Sequence, residues 1–168
     1  MPGGELIRNA VTAPEILHAR ALFEEYAASL DVDLCFQNFA AELSGLPGAY
    51  ARPRGRLLLA GPRDRPHGCI ALRPLPHDGG TGESISIGEV KRLYVRPEAR
   101  GGGLGRALVD ALVAEARTIG YRELKLDTLA TMGEARALYA SLGFRECAAY
   151  YRNPLGGTVY MALDLRCS

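Results

Sequence analysis

Two periods of apolar spacing run along this chain, and they place most of its elements. Val90, Leu93 and Val95, with Tyr94 between them, form a β-favouring run. Pro97 cannot donate to a ladder, so the strand is expected to stop near Arg96, with its start between Ser84 and Gly88. Leu104, Leu108, Ala111 and Leu112 then recur at the helical period, and Gly120 stands where a helix-ending glycine is expected. This predicts an amphipathic helix of about four turns. A second strand follows at Leu124 to Asp127, and a second helical stretch carries Ala135, Leu138 and Tyr139.

The flanking segments read in the same way. Leu6 to Arg8 is a short edge-strand candidate, and Thr12 caps a helix in which Ile16, Leu17, Ala21, Leu22 and Phe23 recur, with Pro14 in its first turn. Leu30 to Leu34 breaks that helix. Phe36, Phe39, Ala40 and Leu43 suggest another, ended by Gly45 and Pro47. Leu57 to Ala60 and Gly68 to Leu72 predict a hairpin across the polar turn 61–66, and residues 73–82, rich in proline and glycine, predict a surface loop. After Tyr150 and Tyr151 the chain turns at Asn153 to Gly157, and its last strand points Val159, Met161, Leu163 and Leu165 one way. The order β-α-α-β-β-β-α-β-α-β-β belongs to an α/β protein: one mixed sheet with helices on both faces, a single domain over 1–168.

Composition narrows the partners. At 168 residues with 48% hydrophobic and 23% charged residues, the chain can bury a sizeable core. A net charge of +1 argues against a nucleic-acid partner bound by phosphate neutralisation. Cys35, Cys69, Cys147 and Cys167 have no C-x-x-C spacing, so reduced thiols are expected. The N-terminus lacks a signal-peptide pattern and no stretch reaches ~20 apolar residues, which points to a cytoplasmic protein with no membrane partner. His18, His67 and His77 stand apart, with no H-E-x-x-H and no G-x-S-x-G, so neither a metal site nor a serine hydrolase has support.

The chemistry concentrates at Arg100-Gly101-Gly102-Gly103-Leu104-Gly105-Arg106, between the first strand and its helix. Adjacent glycines suit a sharp bend or a close approach of backbone to ligand, and the helix N-terminus presents unpaired N–H groups. Such a loop can cradle a phosphate, with Arg100 and Arg106 adding charge; otherwise it is simply a tight turn. A dinucleotide fingerprint would need glycine at Arg106, and a Walker loop needs a Gly-Lys pair that is absent.

Arg100, Gly103 and Gly105 satisfy the pattern Arg/Gln-x-x-Gly-x-Gly/Ala, and here the sequence resembles the GCN5-related N-acetyltransferases. Ala135, Leu138, Tyr139, Gly143 and Phe144 are similar to that family's A-x-x-L-Y-x-x-x-G-F segment. The two segments, in order, cover about a third of the chain, Glu89 to Phe144. The resemblance implies the acyl-CoA N-acyltransferase fold and acetyl-CoA as cosubstrate, its pyrophosphate on the glycine loop and its pantetheine arm along Leu93, Tyr94 and Val95. It also implies an amine acceptor, and a homodimer is compatible with it.

Transfer to a lysine-like amine requires loss of a proton, which costs about 4.6 kcal/mol at pH 7 for a pKa near 10.4. Glu89 resembles the acidic residue that many family members use as general base; the alternative is a solvated strand-end charge paired with Lys91 or Arg92. Tyr139 resembles the family's general acid for the departing thiolate; the alternative is ring packing in the core. Many relatives carry Asn where this chain has Met132, three residues before Ala135. Asp31, Asp33, Phe36, Gln37, Tyr150, Tyr151 and Asn153 are acceptor-site candidates, acids and aromatics that suit a cationic amine. The expected activity is acetyl transfer by direct attack in a ternary complex. Its rivals are a non-catalytic acyl-CoA sensor or interaction module and an oligomer-forming structural protein.

Overall fold

The computed structural model describes residues 6–30, 33–34, 38–75 and 87–166. Asp31, Cys35, Phe36, Gln37, His77, Ser84 and Cys167, all named above, lie outside them. The chain runs β1 (Ile7–Asn9), α1 (Ala13–Ser29), α2 (Phe39–Gly45), β2 (Arg56–Ala60), β3 (Gly68–Pro74), β4 (Ile87–Val95), α3 (Leu104–Ile119), β5 (Glu123–Leu129), α4 (Gly133–Ser141), β6 (Arg145–Cys147) and β7 (Thr158–Asp164). Among the described residues seven strands form one sheet in the order β1-β2-β3-β4-β5-β7-β6, in which β4 and β5 pair in parallel and the other neighbours are antiparallel. The expected order and fold class are both found.

Both faces of the sheet are covered, and the short apolar runs in β2 and β3 are read two ways by alternation. Leu58, Ala60, Ile70 and Leu72 pack with α3. Leu57, Leu59, Cys69 and Ala71 pack with Ala19, Leu22 and Phe23 of α1. Thr12 caps α1 in a reciprocal box with Glu15. Two residues expected on its apolar stripe are not there: Leu17 is 64% exposed and Ala21 is also exposed. Ala19, Leu22, Phe23 and Tyr26 set the inward face at helical spacing, and Leu17 and Ala21 fall about 180° from it. The loop expected from residue 73 starts later, because β3 continues through Pro74, paired with Gly88.

One irregularity in β4 decides where the site lies. Lys91 pairs with Ala71 and Tyr94 with Cys69, so Arg92 and Leu93 together oppose Ile70. This is a β-bulge, with Arg92 in the left-handed region at φ 62°. The extra residue inverts the alternation. Val90 packs toward α3 before the bulge, whereas Leu93 and Val95 do so after it and Tyr94 turns to the α1 side. The inverted side chain, Arg92, is clamped by Glu42 of α2 through two hydrogen bonds of 2.9 and 3.0 Å, with the Phe39 ring 5.1 Å from its guanidinium.

Candidate active site

Three features converge around the C-terminal half of β4. The first is a gap in the sheet. The ladder between β4 and β5 covers only Ile87, Glu89 and the residue between them, ending at the pair Glu89 and Lys125. Beyond it the strands part, and a narrow cleft opens with Val90, Lys91 and Leu93 on one side and Asp127, Thr128 and Leu129 on the other. Tyr26 and Leu34 border it from the α1 side, and Met132, Ala135 and Tyr139 from α4.

The second feature is the glycine loop. Gly101 and Gly103 have φ of 89° and 85°, which only glycine adopts cheaply, and Gly103 is the residue before the first turn of α3. No side chain caps that turn and no acidic residue lies in it, so its N–H groups and the positive end of the helix face outward. A groove runs from this loop past Tyr94 and Leu93 to Met132 and Ala135 at the mouth of the cleft. Arg100, Gly101, Gly103, Leu104, Gly105, Arg106 and Leu93 to Val95 all line it, while Gly102 does not. A Cβ at Gly105 would point to Leu138 at 3.5 Å and Val95 at 3.9 Å, both groove residues, so a side chain there would be tolerated by the fold but would fill the groove. Arg100 donates to the Val95 carbonyl at 2.8 Å and lies 5.7 Å over the Tyr94 ring, and Arg106 donates to Ser141 Oγ at 3.2 Å. An uncapped helix start, two arginines and a long groove fit a diphosphate with an extended arm.

The third feature is a layer of polar side chains at the point where the strands part. Glu89 is 2% exposed; its Oε1 accepts from Arg73 Nε at 2.8 Å and its Oε2 from the Tyr150 hydroxyl at 2.7 Å. A solvated strand-end charge is thereby excluded for Glu89. Asp127 Oδ2 accepts from the Tyr151 hydroxyl at 2.7 Å and from Asn153 Nδ2 at 3.4 Å, and Lys91 Nζ lies 3.7 Å from Oδ1. Burial pushes the Tyr150 and Tyr151 phenols well above the ordinary tyrosine range, and the carboxylates they donate to push the same way. Lys91 is shifted down by desolvation, an effect opposed by Glu89 and Asp127.

Tyr139 is buried, with its ring 5.4 Å from Phe144, and burial raises its phenol too. It packs in the core and borders the cleft at once, so the two accounts of it are compatible. Met132 stands just before α4, borders both groove and cleft, and its Sδ lies 3.8 Å from the Thr128 hydroxyl. Of the acceptor candidates, Tyr150, Tyr151 and Asn153 join this layer, while Asp33 is exposed. Sequence reasoning missed Asp127 and Arg73. A signal existed for the first: Asp127 alternates with Leu124 and Leu126, and thus faces away from their core.

Among the described residues, no group of three or more His, Cys, Asp or Glu could hold a metal ion, and no helix is long and apolar enough to cross a membrane.

Residues 53–146 match the family profile described as acetyltransferase (GNAT) domain. Over 162 residues the chain is 40% identical to an uncharacterised N-acetyltransferase of Schizosaccharomyces pombe, an alignment spanning 94% of this chain and 93% of that protein. An uncharacterised N-acetyltransferase of Dictyostelium discoideum is 30% identical over 201 residues, spanning 88% and 93%. The structure of YncA from Salmonella typhimurium, solved with its cofactor acetyl-CoA, is similar with a TM-score of 0.66 at 21% identity, covering 97% of this chain and 95% of that one. At that identity the likeness concerns the fold.

Proposed function

We propose that this chain, which belongs to the GNAT acetyltransferase family, moves an acetyl group from acetyl-CoA to a primary amine, of a small molecule or a peptide, by direct attack in a ternary complex. The observation that carries the reading is the continuity of one groove with one cleft: the uncapped start of α3 stands at one end, and Tyr139 at the other. The N–H groups at Gly103 to Arg106 and the two flanking arginines would hold the diphosphate. Leu93 to Val95, which follow the bulge and line the groove, would flank the arm. Acetyl-CoA supplies a thioester whose carbonyl carbon accepts the amine and whose sulfur leaves.

This chain's own residues handle the rest. Backbone N–H groups of the bulged strand stand where a ladder is interrupted, and one of them can donate to the oxygen that gains charge. Tyr139, kept protonated by burial, is suited to donate to the leaving sulfur rather than to carry charge itself. The side of the cleft opposite the thiol, with Lys91, Asp127 and Asn153, would receive the acceptor. The whole of residues 1–168 is taken as one catalytic domain.

The test is thiol release. The protein is incubated with acetyl-CoA and a panel of primary amines, and free coenzyme A is followed with a thiol reagent. Release that depends on an amine, with the acetylated amine identified by mass spectrometry, is the expected result. Tight binding of acetyl-CoA with no amine-dependent thiol would instead identify a non-catalytic acyl-CoA module.

A further inference from the structure

Two carboxylates stand at the splayed strands, and they are not equivalent. If the chain transfers acetyl groups as proposed, a proton must leave the acceptor nitrogen. Glu89, the family-like position, does not border the cleft. Its two oxygens are held by Arg73 and Tyr150 at 2.8 and 2.7 Å. Asp127 is two residues beyond Lys125, the last partner in the β4–β5 ladder, and it borders the cleft. Its Oδ2 is fixed by Tyr151 and Asn153, while Oδ1 has Lys91 Nζ at 3.7 Å, well beyond the roughly 2.8 Å of a close charge-assisted hydrogen bond. Tyr139 borders the same cleft from α4.

We propose that Asp127, and not Glu89, is the general base of this site. The amine lone pair forms the N–C bond to the thioester carbon, and the proton leaving nitrogen goes to Asp127 Oδ1. The C–S bond breaks, and the sulfur takes the Tyr139 proton. Asp127 then loses a proton to solvent and the Tyr139 phenolate regains one, so amine and thioester become amide and thiol. Glu89 is a positioning residue: it anchors Tyr150, whose ring packs 5.3 Å from Tyr151, the donor that orients Asp127.

The experiment compares the native chain with Asp127→Asn, Asp127→Glu, Glu89→Gln and Lys91→Met, with phenethylamine, spermidine and lysine amide as acceptors. Asp127→Asn is expected to lower kcat by about 10²-fold or more with acetyl-CoA affinity nearly unchanged, Asp127→Glu to recover part of the loss, and Glu89→Gln to lose less than about tenfold.

A second readout needs no turnover: with coenzyme A bound and no acetyl group present, phenethylamine should move the 13C carboxyl resonance of Asp127 and leave that of Glu89 in place. Native-like turnover in Asp127→Asn, a larger loss of kcat in Glu89→Gln than in Asp127→Asn, or turnover abolished only by Lys91→Met would overturn the assignment while leaving acetyl transfer intact. A native chain that binds acetyl-CoA and acetylates none of the three amines would overturn the transfer reading, and this inference with it.

Discussion

At the scale of single residues, Tyr139 is the position where a deletion can be interpreted most cleanly. Its ring packs 5.4 Å from Phe144 in the core, so Tyr139→Phe keeps the packing and removes one oxygen. The phenol is raised by burial first, with smaller contributions from Tyr26 and Asp127, and it therefore stays a donor across the working pH range. Turnover should fall by about 10²-fold or more in Tyr139→Phe, with acetyl-CoA affinity by calorimetry and the melting temperature nearly unchanged. Unchanged turnover would leave Tyr139 a core residue only. This residue was legible because its neighbours in sequence, Ala135, Leu138, Gly143 and Phe144, carry a local pattern. The layer below it was not. Glu89 meets Arg73 and Tyr150, 16 and 61 residues away, and Asp127 meets Tyr151 and Asn153, 24 and 26 residues away. The Arg73 bond joins cross-strand partners of β3 and β4, while the other three come from the segment that leads into β7, which lies antiparallel beside β5; no periodicity within one segment records either pairing.

At the scale of elements, the helices and strands were written in their own segments, and so was the glycine loop that begins α3. The three adjacent glycines nevertheless do different things. Gly103 holds φ 85°, Gly102 does not have a positive φ, and a Cβ at either position would meet nothing within 4 Å. Strain is thus conformational at Gly103 and absent at Gly102. Gly103→Ala should cost about 1–2 kcal/mol of stability and weaken acetyl-CoA binding, because a shifted φ re-aims the first N–H groups of α3. Gly102→Ala keeps its N–H and stands outside the groove lining, so stability should change by less than about 0.5 kcal/mol and affinity should hold. Denaturant titration and calorimetry on the two variants separate these effects. Equal behaviour of both would show that the backbone conformation at Gly103 is not what presents the amides. The α1 stripe marks the opposite case, where spacing was present but its direction was misread. Leu17 and Ala21 are one turn apart and share a face, yet Ala19, Leu22, Phe23 and Tyr26 contact the sheet.

At the scale of the whole molecule, the site exists because one strand changes faces in mid-course. Val90, Leu93 and Val95 are spaced three and then two, where an unbroken strand would keep two throughout, and that irregular interval was the trace of the bulge in the sequence. What the trace does not contain is the clamp. Arg92 is buried on the α1 side, and its partner Glu42 lies 50 residues earlier, on the seven-residue helix α2. The two side chains are 3% and 10% exposed, so the guanidinium cannot turn to water if the carboxylate is removed. A charge left unpaired in such a place costs about 3–5 kcal/mol, and for a domain of this size 3 kcal/mol corresponds to roughly 6–12 °C in Tm. Glu42→Ala should therefore lower Tm by about that amount. Because the enclosed pair is poorly screened, the loss should persist in 0.5 M salt. The exposed pair of Arg20 and Glu24, 47% and 54% accessible, gives the comparison: Glu24→Ala should stay within about 0.5 kcal/mol of the native chain. Acetyl-CoA affinity should fall with Glu42→Ala and not with Glu24→Ala, since only the first releases the φ 62° conformation at Arg92 that turns Leu93 and Val95 into the groove. A Glu42→Ala chain that melts and binds like the native one would mean that the bulge is held by the ladder on either side of it and not by α2.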